Sequence, residues 1–483
     1  MLDDGRLIYT RWEYVDKGLS NVETIWAMRP DGTGSDHVFK LNTVWPAGMS
    51  TARSIPGSRR IVAVAGNHYL PGMGPVVLVD NRRSRRGTEA LTCITPEIGY
   101  PPAYQYPTKF GAFMEPYPLS EKFFLVSHAT GPKVGKYGIY VLDAWGNRAE
   151  LYRDPDISCF APVPLRPRRK PAELAPRADT DKGIAGSDQA VAGANAATEE
   201  KTGSLFIQDI YRGMTGIERG RVKYVRVMGS LEGPWSGAIS WNLGTDPHRK
   251  KIYGIAKVHE DGSAYFNVPA EENLFFQALD ENFMALQQMS TFINLMPGEN
   301  RSCIGCHELR RNAPSSTGAR SLALNDSPQT LQPQPGDTGP RMVDYAADVQ
   351  RSFDKHCIGC HGGQNPKGNL DLVGEPIGKF NRSFDYLVGN GRGGSGLISY
   401  RACDGSGRAH VRAVPPLTHG SIVSKLTDQI RRDPCKANLT REEFIRIATW
   451  NDANVPYYGT YRGRRNPSDK DHPDFRALPL AGK

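Results

Sequence analysis

The sequence predicts a multidomain, mainly β protein with a partial β-propeller-like N-terminal domain, a β-sandwich-like middle domain and an α-helical C-terminal domain. Three observations predict this. Short strand pairs recur through residues 4–155, β-branched runs resume between 204 and 279, and apolar residues take helical spacing after residue 341. The chemistry comes from a repeated pentapeptide: Cys303-Ile304-Gly305-Cys306-His307 returns as Cys357-Ile358-Gly359-Cys360-His361.

In the first domain, residues 1–170, Arg6–Thr10 pairs with Ile25–Gly32, Arg60–Ala65 with Val76–Asn81, and Phe123–Ser127 with Ile139–Gly146. Periodic strand pairs of this kind are the signature of propeller blades. About three units are visible where a closed propeller needs at least four blades, so the propeller is expected to be incomplete. An open β-sheet domain without blades is the plainer alternative.

Residues 171–203, rich in Ala, Gly, Asp and Glu, read as a linker or long surface loop. The middle domain, 204–310, carries strand signals at Ser204–Gln208, Val222–Val227, Lys251–Ala256, Ala264–Val268 and Leu274–Leu279, and ends in the first pentapeptide. A Pro/Ser/Asn-rich linker, 311–340, follows. In the last domain, 341–465, Tyr345, Val349 and Phe353 lie four apart and lead into Cys357. Ile422, Leu426 and Ile430 repeat that spacing, and Thr440 with Glu443 forms a capping box before Phe444, Ile447 and Ala448. Residues 466–483 read as a tail.

In a C-x-x-C-H segment two thiols add across the vinyl groups of one haem, and the His ligates the iron. A shared zinc site is the alternative. Zinc knuckles usually stand about 15–20 residues apart, whereas residues 307–356 separate the two motifs here. The expectation is therefore two c-type haems, attached at Cys303 and Cys306 and at Cys357 and Cys360, with His307 and His361 as iron ligands. The C-terminal segment then reads as a cytochrome c domain. Covalent haem attachment in bacteria occurs outside the cytoplasm, where a Cys403–Cys435 disulfide would also persist. The start Met1–Arg6 has no basic or apolar leader, so the chain is expected to begin inside a longer, exported, periplasmic or otherwise extracytoplasmic protein.

Composition narrows the partners. The chain has 483 residues, with 51 Gly, 36 Pro and a formal charge of +9 concentrated in clusters such as Arg82–Arg86 and Arg166–Lys170. Without aromatic interleaving or a nucleic-acid motif these clusters read as solvated faces, suited to an acidic redox partner protein rather than to nucleic acid. No apolar run reaches the length of a membrane span.

The chain resembles the proteins related to the hydrazine synthase alpha subunit. The likeness lies in Asp261–Ala270, Phe276–Asp280, and Met296–Glu299 before Cys303–Glu308, and extends to Pro116–Glu121 and Ile157–Phe160. Phe353–Gly363 also looks like the cytochrome c domains common in planctomycete proteins. The resemblance implies a β-propeller, a middle domain with one c-type haem and a C-terminal cytochrome c domain with another. It also implies a departure. In hydrazine synthase a Tyr four residues after the first motif His takes the iron, while that His turns to a zinc ion; here that position is Arg311. His307 ligation is the expectation that follows. Cys159 corresponds by the resemblance to a zinc-binding Cys, while the residues alone read it as a buried structural thiol.

Axial ligands divide electron transfer from catalysis. No Met follows Met342, so the second haem has His410 or His419 as distal candidates; His419 is preferred because Pro415-Pro416 stiffens its approach. His356 is expected to face solvent. For the first haem the candidates are Met289, Met296 and His259, with Glu299 or Asp280 as proton-handling or merely surface carboxylates. The reading is an exported dihaem cytochrome that transfers electrons. Its rivals are a small-molecule, nitrogen-compound oxidoreductase with an open middle-domain haem, and a propeller-based interaction module.

Overall fold

Apolar runs that alternate without a polar break should be buried on both faces, and the second sheet of the chain obeys this rule. The structure is a computed structural model, describing residues 1–13, 23–41, 43–68, 72–101, 111–130, 136–177, 201–231, 249–306, 320–377, 380–389, 394–401, 414–432 and 438–459. The described residues divide between two compact units, 1–177 and 201–459.

The first unit holds three antiparallel meanders. β1 (Leu7–Trp12), β2 (Glu23–Met28) and β3 (Asp36–Phe39) form the first. β4 (Ser50–Ser54), β5 (Ile61–Val64), β6 (Val76–Val79) and β7 (Leu91–Cys93) form the second. β8 (Ala112–Pro118), β9 (Phe123–Ala129), β10 (Gly138–Asp143) and β11 (Arg148–Tyr152) form the third. Side chains alternate along a strand, so Ile61, Ala63, Val77 and Val79 pack with Ile25, Ala27 and Phe39 of the first sheet. Val62, Val76 and Leu78 point the other way, onto Phe113, Phe124, Val126 and Leu142 of the third. The strand pairs read from sequence are β1/β2, β5/β6 and β9/β10. The first strands of the second and third sheets repeat one irregularity: β4 and β8 each carry a bulge, with positive φ at Thr51 (51°) and Glu115 (46°).

In the second unit two sheets share one core. β12 (Thr202–Ile207), β15 (Ala264–Pro269) and β18 (Asn300–Cys303) form one, in the order β15-β12-β18. β13 (Tyr224–Leu231), β14 (Arg249–Lys257), β16 (Leu274–Leu279), β17 (Ala285–Gln288) and β19 (Arg341–Met342) form the other, in the order β17-β16-β13-β14-β19. Leu205, Phe266 and Val268 of the small sheet meet Val225, Val227, Leu274 and Leu286 of the large one. This is the expected sandwich. The part of the 311–340 stretch that is described, 320–340, is fastened to it: Gln332 bridges to Ile255 and Gln329 to Phe266.

The C-terminal part carries α1 (Arg351–His356), α2 (Arg382–Val388), α3 (Lys425–Arg432) and α4 (Arg441–Asp452), with a π-turn at Ala346–Gln350 leading into α1. Tyr345, Val349 and Phe353 are buried, as their spacing predicted. The capping box is present: Thr440 Oγ1 accepts from Glu443 N, and Glu443 Oε2 accepts from Thr440 N. Ile422 departs from its expected helix. It sits in a 3-10 turn, Ser421–Val423, because the Ser424 hydroxyl bonds back to the Gly420 carbonyl and α3 starts only at Lys425. α4 is the keystone of this part. Ile445 packs on Leu279, Phe283 and Ala285, while Trp450 lies against Tyr345 (ring centroids 5.1 Å apart) and Phe384 (6.3 Å).

A polar network crosses from the large sheet to α4. The fully buried Arg226 of β13 donates to Gln277 (2.7 Å), Gln334 (3.0 Å), the Phe283 carbonyl (2.8 Å) and Thr449 (2.9 Å). Gln277 in turn donates to the Asp452 carbonyl at 2.7 Å.

Candidate functional site

The first thiol pair ends a strand. β18 runs parallel to β12 in a register that sets Cys303 opposite Ile207. Gln208 N then donates to Cys303 O (2.9 Å), Asp209 N to Ile304 O (3.2 Å), and Cys306 N to Arg212 O (3.1 Å). The motif thus threads along the 208–212 loop. A Cβ at Gly305 would stand 2.4 Å from the Arg212 carbonyl oxygen, so this glycine is a steric necessity. Cys303 and Cys306 are half-buried against the sandwich core. Burial, then the neighbouring Cys303, pushes the Cys306 thiol up to about 12.

The second pair continues a helix. Cys357 N bonds to Phe353 O at 2.8 Å, and Cys360 N and His361 N both bond to Cys357 O, at 3.1 and 2.9 Å. Spacings of three and four on a helical turn bring Cys357, Cys360 and His361 to one side. His361 Nδ1 lies 3.0 Å from the Lys367 carbonyl oxygen. That contact makes Nδ1 the protonated nitrogen and leaves Nε2 as the electron-pair donor. Burial, then Cys360, pushes the Cys357 thiol up to about 11. Gly359 faces open space, unlike Gly305.

These residues fit a c-type haem at the second motif: two unbridged thiols and an imidazole oriented through its outer nitrogen. At the first motif the two unbridged thiols fit in the same way. His307 and Arg311 lie outside the described residues, as do His410, Cys403 and Cys435. Among the described residues no group of three His, Cys, Asp or Glu is placed to hold a metal ion. None of their helices is long and apolar enough to cross a membrane.

The other candidates separate clearly. His419 lines a cavity with Gln287, Gln288, Tyr400 and Arg401, and its Nδ1 is 3.0 Å from Thr418 Oγ1. Its neighbour Leu417 bonds through N–H to Leu286 O of β17 and packs on the sandwich core that also holds Cys303 and Cys306. Glu299 and Asp280 are buried turn-formers: Glu299 accepts from Met296 N, and Asp280 from Asn282 N and Met284 N. Met289 packs on the core, while Met296 and His259 are half-buried. Cys159 is half-buried, not buried, and its N–H donates to Tyr137 O.

His356 corrects an expectation. Instead of facing solvent, it is nearly buried, with Nε2 2.9 Å from Glu443 Oε2. Lys355 Nζ reaches Glu443 Oε1 at 3.0 Å. Burial would push the Glu443 carboxyl up, but the Thr440 N–H, Lys355 and His356 outweigh it and hold it below the ordinary value. The capping glutamate thus also clamps the helix that delivers Cys357. Sequence reasoning missed this, although Glu443 was legible as a cap.

A sandwich that ends in a thiol pair, continued by a helix-borne second pair, defines the class. Residues 212–308 match the family model of the hydrazine synthase alpha subunit middle domain. This likeness to the hydrazine synthase alpha subunit covers the middle stretch of the chain, from the 208–212 loop region to the first thiol pair. The chain is similar in fold to the solved Kuenenia stuttgartiensis hydrazine synthase, with a TM-score of 0.70 and 18% identity over 96% of this chain and 69% of that chain. The Bacillus anthracis TIE protein aligns over 62% of this chain and 47% of that one, at TM-score 0.14 and 8% identity, and carries no argument. No curated protein matches the chain.

Proposed function

We propose that the chain is an extracytoplasmic dihaem c-type cytochrome, built on a propeller-like domain, that passes electrons between partner proteins. The observation that carries this is the pair of identical C-x-x-C-H motifs, each with two unbridged thiols. A bound c-type haem supplies one-electron exchange between ferrous and ferric iron. The chain's own part is to hold and tune. Cys303 and Cys306 anchor one group at the sandwich edge, and Cys357 and Cys360 anchor the other beyond α1. Lys367 O orients His361 as ligand, and the Glu443 clamp on His356 fixes the helix that presents it.

A second reading follows from the middle-domain match. Here an open haem at Cys303 and Cys306 would act on a small nitrogen compound, the second haem would relay electrons, and other subunits would join the assembly. Glu299 and Asp280, the carboxylates named for proton handling, are both buried and committed to turns. Absorption and EPR spectra of matured protein, with and without cyanide and carbon monoxide, decide between the two. Two low-spin haems that ignore both ligands support electron transfer. A high-spin haem that binds them supports the enzyme.

A further inference from the structure

After β11 the chain runs from residue 153 to 177 without helix or strand. It is nonetheless fastened to the first unit. Cys159 N donates to Tyr137 O at 2.8 Å, Arg166 Nη2 to Leu119 O at 3.3 Å, and Ala172 N to Asp3 O at 3.2 Å. Within this strap, Phe160-Ala161-Pro162-Val163-Pro164-Leu165 alternates proline with apolar residues, and Arg166-Pro167-Arg168-Arg169-Lys170 follows.

The alternation is inverted relative to a folded core. Pro162 and Pro164 are half-buried, whereas Val163 is 58% exposed and Leu165 107%. The two side chains are thus presented to solvent two residues apart along the chain. Proline fixes φ and removes an amide donor. The strap is thereby pre-extended, and little chain entropy is lost when another surface closes on it. Beyond these two side chains, Arg168 and Arg169 are exposed, and Lys170 pairs only with the equally exposed Glu173 among the described residues. Apolar anchors followed by a cationic run call for a groove with a carboxylate rim. A second copy of this chain, with its net charge of +9, is a poor match for that run.

We propose that residues 160–170 are a docking strap for an acidic protein, whose apolar groove takes Val163 and Leu165 and whose rim takes Arg168, Arg169 and Lys170. The test places benzoylphenylalanine at position 165 of the full chain in its native host and identifies the photo-crosslinked species by mass spectrometry. The expected adduct is one acidic protein, cross-linked within a carboxylate-rimmed groove. Purified, that protein should bind in a salt-sensitive manner, at least tenfold more weakly to R168E/R169E/K170E and at least threefold more weakly to V163S/L165S, with circular dichroism unchanged. No adduct, an adduct with lipid, nucleic acid, a basic protein or a second copy of this chain, or equal affinity in both variants overturns the proposal.

Discussion

Arg226 and Asp452 face each other at 3.9 Å with neither side chain exposed to solvent. Burial pushes the Asp452 carboxyl up to about 6, against the pull of Arg226, and lowers the Arg226 guanidinium to about 10. Asp452 also accepts from Ala285 N (2.9 Å), Ser421 N (2.7 Å) and Ser421 Oγ (3.0 Å). One carboxylate thus joins β17, the Ser421 turn and the end of α4. Removing one member of a buried pair strands the other and costs about 3–5 kcal/mol. Asp452→Ala should lower stability by that amount in denaturant titration. Asp452→Asn, which keeps the side-chain shape and an acceptor oxygen but removes the charge, should lose nearly as much, and undiminished stability in Asp452→Asn would show that the ion pair is not the cause.

Glu23 in β2 makes the first unit pH-sensitive. Burial pushes its carboxyl up to about 7, partly opposed by Lys40, and its Oε1 has no hydrogen-bond partner among the described residues. Between about pH 4.5 and 7 the folded chain holds a proton that the unfolded chain has released. This group's stabilising contribution is therefore complete at low pH and is lost as pH rises through about 7. Glu23→Gln should raise the melting temperature at pH 8 and flatten the profile between pH 5 and 8. An unchanged profile would sink this assignment.

The Glu443 clamp predicts a graded effect. Thr440→Ala removes the cap acceptor and should cost about 1 kcal/mol. Glu443→Ala also releases His356 and Lys355 and should cost more, about 2 kcal/mol in thermal melts. Equal losses for the two variants would mean that the His356 contact contributes nothing.

Much of the architecture was legible because it rests on local rules. Strand pairs announced themselves by period-2 runs, and the capping box by Thr440 and Glu443. The partner of His356 was not legible, since Glu443 lies 87 residues away and only the docking of α4 brings it close. The same holds for Arg226 in β13, whose partners Thr449 and Asp452 lie more than 200 residues further along the chain. His419 could be named as a candidate, but its association with β17 depends on the Leu417–Leu286 bond between distant segments.

The thiol pairs should act independently. C303A/C306A should remove one covalent haem and C357A/C360A the other, each variant keeping a single haem by intact mass and denaturing haem stain. Two haems retained in either variant would mean the attachment residues are wrongly assigned.

The most direct measurement is a pyridine haemochrome titration of the full chain, produced with a cytochrome c maturation system and normalised to protein by amino-acid analysis. The thiol geometry predicts a c-type spectrum with two haems per chain. A colourless product, or zinc in place of iron, contradicts the account at its root.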